Sequence, residues 1–157
     1  YLKEVALRKA IDSSLAHFEK SAHQTTQTDG KEHHLAQLRK TAAIIGSHIQ
    51  AMGEELSTLS INGLDGNLRI KIYTILRAIS QTLERLIVYT ATLKPEEELI
   101  ILSRINRINK VLQFIKDHEL PDDCKDPIKR FIHLSERSNR LLEHSLKTIT
   151  LKVYIIY

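Results

Sequence analysis

Tryptophan is absent from this sequence of 157 residues, and cysteine and methionine occur once each. The single Cys124 cannot close an internal disulfide, so the fold draws nothing from cross-linking, which fits a reducing, cytoplasmic setting. Paired cysteines, the commonest zinc ligands, are missing. None of the eight histidines stands in a Glu-x-x-His or His-Glu-x-x-His spacing. No metal site and no cofactor is therefore expected. Only five glycines are present, with no Gly-rich phosphate cradle and no Gly-x-Ser-x-Gly elbow, and the carboxylates around Cys124 disfavour a thiolate. These absences together argue against an enzyme. No apolar run approaches the ~20 residues of a membrane span, and no signal peptide is visible.

What remains is a composition built for helices. Hydrophobic residues make up 42% and charged residues 27%, the apolar set is dominated by Leu and Ile, and only three prolines interrupt the chain. The length suits one domain with its own core. The chain opens on Tyr1 and closes on an apolar tail, Leu151 to Tyr157, so we read residues 1–157 as one domain of a longer protein. That tail is expected as a frayed helix end or a continuation into further sequence.

Apolar positions recur every three or four residues through five segments. The first, from about Leu2 to Ala22, carries Leu7, Ile11, Leu15 and Phe18, and the polar stretch Thr25–Gly30 closes it. The second is the most regular. Leu35, Leu38, Ala42, Ile45, Ile49, Met52, Leu56 and Leu59 form an unbroken heptad, as in a helix of a bundle. A turn at Ile61–Gly66 leads to a third helix over Asn67–Leu93, whose added Leu76, Ile87 and Val88 widen its buried face and make it central. Lys94-Pro95 ends it, and Pro95 with Glu96, Glu97 and Glu98 opens a fourth, carried by Ile101, Ile105, Ile108, Leu112 and Ile115. A connection that short makes these two an antiparallel hairpin. Asp126 as cap and Pro127 as first residue open the last helix. The expectation is an all-α, up-and-down bundle of four long helices plus an additional N-terminal helix.

The net charge is +4. Residues 1–60 hold seven Lys/Arg and seven Asp/Glu, whereas residues 125–157 hold seven against three, so the last segment's surplus equals that of the whole chain. On a helix, residues 126–150 show two faces. Phe131, Leu134, Ser138, Leu142, Ser145 and Ile149 form an apolar stripe. Lys129, His133, Arg137, Arg140, His144 and Lys147 form a basic one, with Arg130 beside it. Glu136 and Glu143 stand four residues before Arg140 and Lys147, the favourable order for intrahelical pairs that blunt the stripe. Such a stripe suits anionic lipid headgroups, phosphoinositides above all, or an acidic protein surface. Nucleic acid is disfavoured, because no aromatics interleave the charges and the net charge is low. Arg69, Lys71, Arg104 and Arg107 would extend the patch if their helices lay alongside.

Within the same helix, Leu141-Leu142-Glu143-His144-Ser145-Leu146-Lys147 resembles the His-x-Leu-Lys of histidine phosphotransfer domains, which are four-helix bundles. The resemblance implies His144 as phosphoacceptor and Lys147 as its electrostatic partner. The family places Gly directly after the Lys, where this chain has Thr148, and small residues where it has Ile149 and Leu151.

The leading expectation is a non-catalytic module, cytoplasmic and peripheral to a membrane. It would read an anionic surface through Lys129, Arg130, His133, Arg137, Arg140, His144 and Lys147, with Ile61 and Leu64 as a loop tip touching the lipid. The alternatives are a protein–protein scaffold docking a partner helix and a phosphotransfer-like relay at His144.

Overall fold

The regular three–four spacing after residue 31 becomes four long helices in a computed structural model that describes residues 32–57 and 64–156. They are α1 (Glu32–Ser57), α2 (Gly66–Thr92), α3 (Pro95–Asp117) and α4 (Lys125–Ile156). Among the described residues there is no strand. The expected N-terminal helix and Ile61 lie outside the described residues. No helix among the described residues is long and apolar enough to cross a membrane.

The helices run up, down, up, down. Met52 of α1 meets Ser135 of α4 while His48 meets Ser138, so these two run in opposite directions. Arg85 reaches Glu97 and Gln81 meets Arg104, which fixes α2 and α3 as an antiparallel hairpin. The turn between them is Leu93 and Lys94. Leu93 takes the left-handed conformation (φ 54°) and its N–H donates to Tyr89 O at 2.7 Å, satisfying one orphan carbonyl of the helix end. Pro95 then opens α3 with three glutamates in its first turn.

One apolar core draws on all four helices. In α1, Leu38, Ala42, Ile45, Ile49, Met52 and Leu56 are buried, six consecutive positions of the heptad. α2 buries Leu68, Ile72, Ile75, Leu76, Ile79, Leu83, Leu86 and Ile87, but Val88 is 48% exposed and does not widen that face as its composition suggested. Nor is α2 alone at the centre. It and α4 form the inner diagonal, each packing on all the other helices, while α1 and α3 take opposite corners; the α1–α4 seam is the largest.

That position changes which residues α4 buries. Phe131, Ser138, Leu142 and Ile149 are inside as expected, but Leu134 and Ser145 are only half-buried. Ile128, Ile132, Ser135, Asn139 and Leu146 are buried as well. A helix facing three neighbours needs a wider arc than a single stripe. Small side chains let α1 come close: Ser138 accepts or donates a 3.1 Å hydrogen bond with His48 Nδ1, and Ser135 Oγ lies 3.1 Å from Met52 Sδ.

α4 starts at Lys125, two residues earlier than the expected first residue, Pro127. Cys124 N–H donates to Pro121 O, and Ile128 N–H donates to Cys124 O. Pro127 is thus the third helical residue, where the missing N–H still costs nothing. The helix also carries on through the apolar tail to Ile156.

Candidate functional site

The outer ridge of α4 places the sequence-predicted cations in solvent: Lys129, Arg130, His133, Arg137, Arg140, His144 and Lys147 are all exposed. Burial of the opposite face by three neighbouring helices leaves this arc nowhere else to point. From Lys129 to Lys147 the ridge extends about 27 Å, at about 1.5 Å per residue.

Its charges are not equally available. Arg130 Nε lies 2.8 Å from Glu55 of α1, and Lys147 Nζ lies 3.1 Å from Glu143. Glu136 does not serve Arg140 as the i,i+4 spacing implied. It accepts from Lys116 Nζ of α3 at 3.0 Å. Among the described residues no carboxylate pairs with Lys129, Arg137 or Arg140. The freest stretch of the ridge is therefore its middle, Arg137 to Arg140, flanked by His133 and His144.

Arg137 also acts inward. His48, half-buried on α1, has its pKa lowered first by desolvation and then by the Arg137 charge. Sequence reasoning missed His48 because nothing in α1 alone places it against Arg137.

Of the two residues expected to touch lipid, Leu64 is the one described, and it is not exposed. Leu64 is 7% exposed and belongs to the core, packed where the chain enters α2, and so contacts other apolar side chains. His144 is exposed, as a phosphoacceptor needs to be, and borders a shallow cleft of about 280 Å³ with Lys40 and Thr41 of α1. Its expected partner Lys147 is engaged by Glu143. Cys124 is buried. Desolvation and the adjacent Asp123 raise its pKa, so it packs as an apolar thiol. Among the described residues no three His, Cys, Asp or Glu side chains converge as a metal site would require.

A second cationic surface lies between α2 and α3. Ile70, Tyr73, Thr74, Arg77, Ala78 and Gln81 line one wall of a cleft of about 620 Å³, and Ser103, Arg104 and Arg107 line the other. Arg104 and Arg107 were named in sequence as an extension of the α4 patch, but the cleft contains no α4 residue. Arg77 was not singled out. The signal was present, since residues 66–83 and 99–116 contain no Asp or Glu and include Arg69, Lys71, Arg77, Arg104, Arg107, Lys110 and Lys116.

No protein family, curated protein or solved structure matches the chain.

Proposed function

We propose that this protein is a non-catalytic helical module that recognises an anionic surface through the outer ridge of α4. The surface that fits best is a cytoplasmic membrane leaflet carrying phosphoinositides. The observation that supports this reading is the run Lys129, His133, Arg137, Arg140 and His144, all exposed on one ridge of a helix whose opposite face is locked into the core. A straight ridge can meet several headgroups of a flat leaflet at once. The guanidinium groups would pair with phosphates through two parallel hydrogen bonds, and the histidine rings would add hydrogen bonds. The ridge supplies charge without an apolar wedge, so binding should be peripheral and salt-sensitive.

The test is co-sedimentation with liposomes made with and without phosphoinositide. Wild-type protein should pellet with the phosphoinositide liposomes. Reversing Arg137→Glu and Arg140→Glu together should weaken this about tenfold or more, at about 1 kcal/mol per surface charge removed and more on reversal. Pelleting that ignores the lipid, or that survives the double reversal, would remove the reading.

One observation favours a second reading, a scaffold for a partner helix. Leu99 (69% exposed) and Leu102 (39% exposed) stand one turn apart on the outside of α3. Partner capture lost on Leu99→Lys but indifferent to the α4 reversals would favour it.

A further inference from the structure

We infer that the α2–α3 cleft is a separate binding site for a compact, multiply phosphorylated polyol, either free or borne as a lipid headgroup. Three features of the cleft carry this. Its volume of about 620 Å³ exceeds what a lone phosphate fills and lies within the ordinary range of small-ligand sites. Arg77 approaches from α2, while Arg104 and Arg107 approach from α3. Arg104 and Arg107 are three residues apart, so they sit on neighbouring turns of one face and address two anionic groups about 5–6 Å apart, with Arg77 supplying a third contact from across the cleft. The remaining wall is mixed. Ile70 and Ala78 offer apolar surface to ring C–H groups, and Gln81 and the Ser103 hydroxyl offer hydrogen bonds to ring hydroxyls.

The electrostatics favour the Arg77–Arg107 end. Arg104 already donates weakly to Gln81 Oε1 at 3.4 Å. It also shares the adjoining cleft with Glu84 and Arg85, of which Arg85 is bound to Glu97 at 3.0 Å. Among the described residues no carboxylate lines the main cleft. Further along the hairpin, Lys71 lies 5.4 Å over the Phe114 ring, so the positive field continues beyond the cleft. Such a field raises the local concentration of a polyanion and speeds its arrival.

This site stands on α2 and α3 and shares no residue with the α4 ridge, so each can fail without the other. The experiment is calorimetric titration of the whole 157-residue chain with inositol trisphosphate, with inorganic phosphate as the size control. Amide shifts in two-dimensional NMR would map the site. Saturable trisphosphate binding is expected, with shifts concentrated in 70–81 and 103–107. Arg77→Gln with Arg107→Gln should weaken it about tenfold or more, whereas Arg137→Gln with Arg140→Gln should change it less than about threefold. Both pairs of positions are exposed, so the melting temperature should stay put. Phosphoinositide vesicles that displace the trisphosphate would identify the lipid-borne source, and vesicles that fail to displace it would identify the free one. Absence of saturable trisphosphate binding, equal loss in both double variants, or shifts confined to α4 would overturn the inference.

Discussion

His48 and Arg137 face each other across the α1–α4 seam, and the pairing has a consequence for stability. A histidine whose folded pKa lies below its unfolded value binds protons preferentially in the unfolded chain. The stability it supports is therefore whole above about pH 6.5 and declines as pH falls through that value towards the lower folded pKa. The melting temperature should drop between about pH 7.5 and about pH 5.5, and His48→Gln should flatten part of that slope. An unchanged slope would show that His48 does not govern it. Removing the Arg137 charge by Arg137→Gln should move the His48 titration upward in NMR. Asn139 is a second residue with a sharp requirement. Its Nδ2 donates to Ile105 O at 3.2 Å and to Asn109 Oδ1 at 2.7 Å, while its own Oδ1 is buried without a partner. Asn139→Asp would replace that donor with a carboxylate aimed at two oxygens. It should cost about 3 kcal/mol near neutral pH, read by denaturant unfolding, with part recovered in acid where the carboxyl is protonated. A neutral result would mean that water reaches the site.

At the scale of elements, α1 and α4 follow different rules. α1 keeps one heptad stripe because it sits at a corner, and its buried positions were legible from spacing alone. α4 meets three neighbours, so its buried arc extends to Ile132, Ser135, Asn139 and Leu146, which a single-stripe reading leaves out. The α1–α4 seam should therefore be the most costly to damage. Ile49→Ala, at a position 1% exposed, should destabilise by about 2–5 kcal/mol. Ile70→Ala, at a position 63% exposed, should stay within about 0.5 kcal/mol by the same unfolding measurement. Comparable losses at both sites would place the core elsewhere.

Over the whole molecule, summing charge by segment hid the α2–α3 cleft. Residues 61–124 hold nine Lys/Arg and nine Asp/Glu and look neutral. All the acids but Glu84 sit at helix ends and connections, at Asp65, Glu96, Glu97, Glu98, Asp117, Glu119, Asp122 and Asp123, while Arg69, Lys71, Arg77, Arg104, Arg107, Lys110 and Lys116 fall in the acid-free stretches 66–83 and 99–116. The fold then lays two acid-free stretches side by side. If the ridge and the cleft hold anions, both should release them as salt rises from about 0.05 M to about 0.5 M, because the Debye length shrinks from about 14 Å to about 4 Å. The melting temperature should move little over the same range, since the ion pairs are largely exposed and contribute under about 1 kcal/mol each. Anion binding indifferent to salt would argue for contacts other than charge.

Sequence by itself determined the helices and most of their inner faces, because a period near 3.6 and the punctuation at Asp65-Gly66 and Lys94-Pro95 are local properties of the chain. It also determined that α4 carries a basic ridge, since residues three and four apart on one helix share a face whatever surrounds them. Tertiary structure alone decided which charges are spent and which surfaces meet. Glu136 is claimed by Lys116 of α3 instead of Arg140, Glu55 of α1 claims Arg130, Leu64 turns inward, and Arg77 comes to face Arg107. Those outcomes depend on distances between residues 20 to 75 positions apart along the chain. Only the packing of one helix on another sets them.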